Sequence, residues 1–383
     1  MFSWTMIPPT SSSTDQDPAV WRIVNQEWPA ISVVTAMEYV RTGKAPGLQR
    51  SPTGVFGKLR TVDRTEIESY NAIRALVQEF LIVKSRKRPL CLGVFGPPGA
   101  GKSCGVEEVI TSIRGERVAK LTFNVSQFSS EDDLVAACHR IRDKVLEGKT
   151  PFVFFDEFDS AGLDGTELGW LRSFLALMQD GKFRDGEEMH PLGKCILVFA
   201  GGTSPTFLEF ETTALKLPSA RKGRDFVSRL HGYINIMGLN TQGDDPSFVL
   251  RRAIVLRSML DRNKDAAGLF NSKKELQIDT GVLRALLLVS EYKHGTRSLE
   301  SLLDMSQLEG QTRFDQYALP PRDQLMIHVP ADEFISLMQP RSSDSPEIEQ
   351  FKLWLKTIGY DVRSIPPGRS SEWGPLVFDL RLH

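Results

Sequence analysis

The stretch that decides the fold is Gly96-Pro97-Pro98-Gly99-Ala100-Gly101-Lys102-Ser103, which follows the apolar run 90–95. It has the spacing G-x-x-x-x-G-K-S of a phosphate-binding loop, with an expected strand before it and a segment suited to a helix after it. Its glycines allow positive φ and close approach of the backbone, so that successive N–H groups converge on phosphate oxygens. Lys102 would bring positive charge to the terminal phosphates, and the Ser103 hydroxyl can hold Mg²⁺. The stretch, extended to Cys104 in the first helical turn, predicts a site for a nucleoside triphosphate.

Composition and charge are ordinary for a globular protein and give no overall indication of nucleic acid or a membrane as a partner. The chain of 383 residues is 41% hydrophobic and 25% charged, with a formal net charge of −1. No apolar run reaches the roughly 18 residues that a membrane span requires. The N-terminal Met1-Phe2-Ser3-Trp4 lacks the basic and apolar stretches of a secretory signal, and the four cysteines show no C-x-x-C spacing. We therefore expect a cytoplasmic protein with no membrane partner.

Strand and helix patterns alternate through the middle of the chain. The predicted strands are the apolar runs 90–95, 118–125, 152–155, 195–200 and 233–237. This alternation predicts an α/β fold, a parallel five-stranded sheet flanked by helices. The later residues change to helical patterns, which predicts a C-terminal α-helical lid subdomain. We divide the chain into 1–59 (N-terminal tail, short helices and linker), 60–242 (α/β nucleotide-binding core), 243–338 (helical lid) and 339–383 (linker and C-terminal segment).

A pair of carboxylates, Asp156 and Glu157, follows the third apolar run. Because ligands of parallel α/β sheets bind at the carboxyl ends of the strands, we expect this pair beside the loop 96–103. Asp156 would hold Mg²⁺ together with Ser103, and Glu157 would polarise a water that attacks the terminal phosphate. The alternative is a polar strand end that caps the next helix. The first interpretation predicts hydrolysis of the bound nucleotide.

These motifs resemble those of the AAA+ ATPase superfamily, over residues 60–305 or so. The loop 96–103 resembles its Walker A motif and Asp156-Glu157 its Walker B motif, while Met178-Gln179-Asp180-Gly181-Lys182-Phe183-Arg184-Asp185-Gly186 is similar to the stretch before sensor 1 in Clp-type modules. The resemblance implies ATP and Mg²⁺ as cofactors. It places sensor 1 at Thr203, where the family often carries asparagine; a hydroxyl can still contact the γ-phosphate or the water. The alternative is an ordinary turn hydroxyl.

Two further motifs of this resemblance contain arginines. Gly223-Arg224-Asp225-Phe226-Val227-Ser228-Arg229-Leu230 resembles the region of the arginine finger, which one subunit supplies to its neighbour's γ-phosphate. Arg229 is the preferred finger, Arg224 is the second choice, and a surface basic cluster is the alternative. Gly295-Thr296-Arg297 resembles sensor 2, so that Arg297 would reach the phosphates from the lid; a solvated arginine at a helix start is the alternative. The implied catalytic set is Glu157, Lys102, Thr203, Arg229 and Arg297.

A finger supplied in trans implies a homo-oligomer, with a hexamer as the expected form. The first functional hypothesis is an AAA+ ATPase that couples hydrolysis to remodelling of a protein substrate or partner. Phe128 stands where threading members carry a pore-loop aromatic, although the same ring can pack within its own chain. One alternative is an ATP-controlled switch or scaffold that activates a partner. The other is a DNA-acting ATPase suggested by Lys84-Ser85-Arg86-Lys87-Arg88, but nucleic acid is the less favoured partner because no aromatic residues interleave with that run.

Overall fold

The computed structural model describes residues 29–44, 53–83, 88–113, 118–218, 222–241, 245, 247–339, 360–364 and 378–382. Most of the predicted N-terminal tail, residues 84–87 of the basic run and most of the segment 339–383 lie outside these residues. The strands are β1 (Gly54–Phe56), β2 (Leu59–Thr61), β3 (Leu90–Phe95), β4 (Val118–Asn124), β5 (Thr150–Asp156), β6 (Lys182–Asp185), β7 (Glu188–Pro191), β8 (Ile196–Ala200), β9 (Gly232–Asn235), β10 (Tyr360–Ser364) and β11 (Phe378–Leu382). The α-helices are α1 (Pro29–Thr42), α2 (Arg64–Ile82), α3 (Lys102–Thr111), α4 (Glu131–Leu146), α5 (Leu171–Asp180), α6 (Phe207–Lys216), α7 (Gly223–Val227), α8 (Phe248–Arg262), α9 (Thr280–Leu288), α10 (Thr296–Met305), α11 (Arg322–His328) and α12 (Ala331–Met338).

A five-stranded sheet forms the centre of the α/β core, in the order β4-β5-β8-β3-β9. Every neighbouring pair in it is parallel. All residues of β3 and β8 are buried, as the apolar runs predict for strands covered on both faces. The edge strand β4 alternates between buried and exposed positions over its second half. The predicted α/β fold with a parallel five-stranded sheet is confirmed.

Alternation of side chains along the strands builds one core on each face of the sheet. In β5, Val153 and Phe155 belong to one buried cluster, whereas Phe152 and Phe154 belong to the other. The first cluster packs beneath α4, α5, α6 and α7, and the second packs beneath α2 and α3. Each fully buried phenylalanine contributes about 2 kcal/mol through removal of apolar surface from water. These two cores hold the carboxyl ends of the strands in a fixed register.

Two antiparallel hairpins of the core depart from the sequence expectation. The pair β1–β2 lies at the end of the stretch predicted as tail and linker, and it is ordered because Phe56 is buried against Tyr70 of α2, with ring centroids 5.2 Å apart. In the pair β6–β7, β6 lies within the stretch similar to Clp-type modules and β7 follows that stretch. Its strands are mostly polar, and Phe183 is the buried residue of β6. No apolar run marks it as a strand pair.

The chain divides into two compact units. The first comprises Ser51–Asn240 and His294–Arg297 and contains the five-stranded sheet. The second comprises Met1–Arg50, Thr241–Lys293 and Ser298–His383, and its described part is mainly helical. In this second unit, the Arg257 guanidinium donates to the backbone carbonyls of Val40 and Arg41, which attaches the end of α1 to α8. The domain limits drawn from the sequence stay predictions. None of the described helices is both long and apolar enough to cross a membrane.

Candidate functional site

The phosphate-binding loop connects the end of β3 to the start of α3. Gly99 and Gly101 have φ of 73° and 79°, in the left-handed region that glycine adopts without a steric penalty. A Cβ on Gly99 would lie 2.4 Å from the carbonyl oxygen of His294, so a side chain there would displace the backbone of that segment. Gly101 is the N-cap of α3, which leaves the first N–H groups of this helix directed at the loop. This geometry is suited to an anion.

Lys102 lies at the end of that loop, as the first residue of α3. Its Nζ donates to the backbone carbonyl of Gly96 at 2.9 Å and to that of Pro97 at 3.2 Å. Burial lowers the pKa of Lys102 below its usual value, while the negative charges of Asp156 and Asp159 act in the opposite direction. A partly desolvated ammonium group surrounded by carbonyls gains from meeting a phosphate, because the phosphate supplies the missing counter-charge.

The acidic pair lies at the same sheet edge as the loop. Ala200 of β8 is paired in register with Asp156 on one side and with Val94 on the other, so that the ends of β3, β5 and β8 are level. Burial raises the pKa of Asp156 above the ordinary value, and Lys102 and Arg297 both act to lower it. Glu157 has a φ of 53°, a conformation that non-glycine residues adopt at a cost of about 1–2 kcal/mol. Such strain is concentrated at functional positions in proteins.

Thr203 follows β8 and is held by the carboxylate of Asp159, which the sequence motifs did not indicate. Asp159 is 2% exposed. It accepts hydrogen bonds from the N–H of Gly202 (2.7 Å), the N–H and hydroxyl of Thr203 (2.9 and 2.6 Å) and the N–H of Ser204 (3.4 Å). The available signal was the third carboxylate of Asp156-Glu157-Phe158-Asp159, two positions after Glu157. Its partners lie more than forty positions along the chain, so the sequence alone does not pair them.

The segment His294–Arg297 contacts the phosphate loop directly. The N–H of Thr296 donates to the carbonyl of Gly99 at 3.0 Å, and Gly295 has a φ of 58° that permits this approach. Arg297 is exposed and close enough to Lys102 and Asp156 to act on the pKa of both. The loop, the acidic pair, Thr203 and Arg297 are thus brought to one edge of a parallel five-stranded sheet, the arrangement that the resemblance implies. The chain has an α/β fold in which a phosphate-binding loop joins a central parallel strand to a helix.

Ser103, expected to hold Mg²⁺ together with Asp156, is half-buried in the first turn of α3. Cys104 follows it in the same turn. The loop residues Pro97 and Ala100 form a turn closed by a hydrogen bond from the N–H of Ala100 to the carbonyl of Pro97 at 3.1 Å. Pro98 lies close to Gly295. A Cβ added to Gly295 would lie 3.0 Å from the carbonyl oxygen of Pro98.

The two candidate finger arginines, Arg224 and Arg229, lie in and after α7, and they differ in their contacts. Arg229 is one quarter exposed, and its guanidinium donates to the side-chain oxygen of Gln179 and to the backbone carbonyl of Asp225. Arg224 is exposed, and its side chain makes no hydrogen bond or ion pair with the residues that the structure describes; its backbone carbonyl accepts from the N–H of Ser228 at 3.1 Å. Within the same described part, no hydrogen bond joins either arginine to the phosphate loop.

Phe128 follows β4 and is partly buried. Its ring packs edge-on against Trp170, with centroids 5.5 Å apart. The alternative considered for this residue, packing within its own chain, therefore describes its position. The ring is a component of the aromatic core rather than a side chain directed at solvent.

No protein-family model and no curated protein sequence matches the chain. Among solved structures, NtrX from Brucella abortus in complex with ADP is 14% identical, with a TM-score of 0.43 over 84% of this chain and 65% of that one. The same protein with ATP gives 14% identity and a TM-score of 0.42 over 75% of this chain and 60% of that one. The Aeropyrum pernix ORC2 protein in ADPNP-ADP complexes is 11% identical, with a TM-score of 0.41 over 79% of this chain and 88% of that one. Sequence identities and TM-scores this low do not support an assignment of fold or function. The fold assignment rests on the parallel sheet and the sequence motifs.

Proposed function

We propose that the chain is an ATPase that hydrolyses Mg²⁺-bound ATP at this site. The observation that carries the proposal is the level alignment of three strand ends, which brings Lys102, the pair Asp156-Glu157 and Thr203 to one edge. A phosphate loop alone would support binding. The carboxylate of Glu157 beside it adds a base that can orient an attacking water.

The residues present fit a magnesium ion. Mg²⁺ prefers hard oxygen ligands and few protein carboxylates, and Ser103 supplies a hydroxyl while Asp156 supplies one carboxylate. The raised pKa of Asp156 shows that burial disfavours its charge, which a cation would stabilise. When bound, the ion would neutralise charge that develops on the phosphates during transfer. Ser103 and Asp156 are the proposed ligands.

The remaining roles follow from position. The loop 96–104 would surround the phosphates, with N–H donors from Gly99–Cys104, because Pro97 and Pro98 have none, and with Lys102 as a point charge among them. Arg297 would add positive charge from the segment that contacts Gly99. Glu157 would hold the attacking water and accept its proton as the water oxygen bonds to the γ-phosphorus, while the bond from that phosphorus to the β,γ-bridging oxygen breaks and ADP leaves. ATP rather than GTP is the proposed substrate on the family resemblance.

We also propose that the active form is a homo-oligomer, with a hexamer as the expected size. In the described part of one chain, neither Arg224 nor Arg229 is hydrogen-bonded to the phosphate loop, so a finger arginine would come from a neighbouring chain. The contacts favour Arg224 as the trans finger, since Arg229 would first have to leave Gln179. This reverses the order that the motif alone suggested. An exposed guanidinium can reach a neighbouring phosphate without that cost.

The finer proposal is that hydrolysis acts on a protein partner. Remodelling and an ATP-controlled switch that activates a partner both agree with the site, and the packing of Phe128 on Trp170 gives threading through an aromatic grip no support. The DNA-acting alternative depends on a basic run of which residues 84–87 lie outside the described part. A protein partner is therefore preferred to nucleic acid. The compartment expected from the sequence, the cytoplasm, stays a prediction.

The binding half of the proposal is tested by titration calorimetry on the full chain. ATP, ADP and GTP are titrated in turn, each with Mg²⁺ and again with a chelator. We expect ATP and ADP to bind, with Mg²⁺ strengthening ATP more than ADP because only ATP carries the γ-phosphate. Failure of all three nucleotides to bind would contradict the proposal, and tighter binding of GTP would contradict its choice of base.

A further inference from the structure

The carboxylate of Asp159 is the hub of a small network between the ends of β5 and β8. Its Oδ1 accepts the N–H of Gly202, and its Oδ2 accepts the N–H and hydroxyl of Thr203 and the N–H of Ser204. The carboxylate is nearly inaccessible to water. These four hydrogen bonds hold the segment Gly202–Ser204 to the buried carboxylate of Asp159. They hold it more firmly than bonds between neutral groups would, because charge-assisted hydrogen bonds are about twice as strong as neutral ones.

This network determines what the Thr203 hydroxyl can do. The hydroxyl has one hydrogen, and it is donated to Asp159 at 2.6 Å. Phosphate oxygens are acceptors and require a donor, so a hydroxyl committed to Asp159 has no hydrogen for them. The group at the sensor-1 position of this chain is therefore a structural contact of Asp159 and not a direct contact of the γ-phosphate.

The network also reaches Glu157. A Cβ on Gly202 would lie 3.2 Å from Cγ of Glu157, which means that the backbone of Gly202 closes one side of the space around that side chain. Glu157 is itself held in a left-handed conformation next to Asp156. The position of the Gly202–Ser204 segment, fixed by Asp159, thus limits where the Glu157 carboxylate can point.

We propose that Asp159 is a positioning residue for the hydrolysis of ATP: it fixes Gly202–Ser204 against Glu157 and so orients the base toward the attacking water. The inference rests on the proposed function. Any effect of Thr203 on turnover then comes from the contact of its hydroxyl with Asp159. We expect Asp159 to affect the chemical step and to leave nucleotide binding unchanged.

The test compares kcat and KM for ATP, together with ADP affinity, among variants of the full chain. Asp159→Asn keeps the shape but turns part of the acceptor into an NH2 donor that faces N–H groups. We expect kcat to fall by about 100-fold, the loss associated with misplacement of a catalytic group by about 1 Å. ADP affinity should stay within about 3-fold, because the base contributes to the transition state and not to ground-state binding. Asp132→Asn, an exposed carboxylate in the first turn of α4, is the matched control and should behave as wild type.

Variants of Thr203 separate positioning from direct phosphate contact. Thr203→Ser keeps the hydroxyl that donates to Asp159 and should recover most of the kcat that Thr203→Val loses. Thr203→Val loses the hydroxyl but keeps the backbone donors, so kcat should fall far less than in Asp159→Asn, and the double variant should be no slower than Asp159→Asn alone. A Thr203→Val variant that is slower than Asp159→Asn would overturn the proposal, since the hydroxyl would then act by itself.

Gly202→Ala tests the last step without touching Asp159, and it covers the case in which Asp159→Asn does not fold. Its methyl group would crowd Cγ of Glu157, and we expect kcat to fall by about 10-fold or more, with ADP affinity unchanged. A Gly202→Ala variant with wild-type kcat would overturn the proposal. A wild-type chain that binds ATP without releasing phosphate would contradict the proposed function and this inference together, whereas active Asp159→Asn and Gly202→Ala variants would contradict the inference alone.

Discussion

The Nζ atom of Lys102 donates a hydrogen bond of 2.9 Å to the carbonyl oxygen of Gly96, within the loop that carries both residues. The carbonyl of Pro97 accepts a second one. A partly buried cation whose partners are neutral carbonyls lacks a full counter-charge, and the nearest carboxylates act on it only through space. A phosphate group is the ligand that such a position favours.

Lys102→Ala should remove nucleotide binding. Loss of a desolvated charge that meets a phosphate costs about 3 kcal/mol or more, which corresponds to at least about 100-fold in affinity. Calorimetry with ATP measures the effect. Lys120→Ala is the matched control, because Lys120 is exposed and paired with Glu107, and its affinity should equal that of wild type. Equal binding by Lys102→Ala and wild type would remove Lys102 from the site.

Glu157→Gln should bind ATP but hydrolyse it about 10²–10⁴-fold more slowly, the usual contribution of a positioned base. The variant should also hold the ATP-bound assembly long enough to measure its mass by light scattering after size exclusion. We expect a ring-sized particle with ATP and Mg²⁺ and a smaller one without them. Rapid phosphate release by this variant would exclude Glu157 as the base.

Arg224→Ala should keep ATP affinity and lose hydrolysis if Arg224 acts on a neighbouring subunit. Mixing it with Glu157→Gln subunits should restore part of the activity, since one kind of interface in the mixture then has both an intact base and an intact arginine. Arg229→Ala is the comparison: loss of its contacts with Gln179 and Asp225 should lower the melting temperature more than it lowers kcat. Rescue by mixing of Arg229→Ala, with none for Arg224→Ala, would reverse the assignment.

Asp156→Asn should stabilise the fold at neutral pH. Burial raises the pKa of Asp156 in the folded chain, so the folded state holds this proton more tightly than the unfolded state does. Ionisation of Asp156 therefore destabilises the fold above the ordinary pKa of 3.8, and the penalty is complete above the raised value. The variant should melt a few degrees higher at neutral pH, and the difference should shrink as the pH falls toward 3.8. Asp304→Asn, at an exposed carboxylate, should show no such trend. A lower melting temperature for Asp156→Asn at neutral pH would contradict this reading of the site.

Local patterns predicted much of this fold. The run 90–95 became β3 with the same limits, and the other four sheet strands shifted by no more than a few residues at their ends. Apolar runs covered on both faces and a glycine-rich loop are properties of neighbouring residues, so the sequence displays them directly. The position of Lys102 between strand and helix followed from the same local reading.

Local sequence patterns did not predict the contacts between distant segments at the carboxyl ends of the strands. Asp159 meets Gly202–Ser204, and Arg229 meets Gln179, only because strand register and helix packing bring distant segments together. The motif around Arg229 therefore suggested a guanidinium free to reach a neighbouring phosphate. In the structure this guanidinium is hydrogen-bonded to Gln179 and Asp225, whereas Arg224 is exposed. Phe128 shows the same effect, since an exposed aromatic and one packed on Trp170 have the same local sequence.

Phosphate release by the full chain with ATP and Mg²⁺, measured beside Lys102→Ala and Glu157→Gln, decides whether this site hydrolyses ATP. We expect turnover by the wild-type chain that disappears with a chelator and with either substitution, while Glu157→Gln still binds ATP. Wild-type release no faster than that of Lys102→Ala, under conditions in which calorimetry shows ATP bound, would contradict hydrolysis at this site.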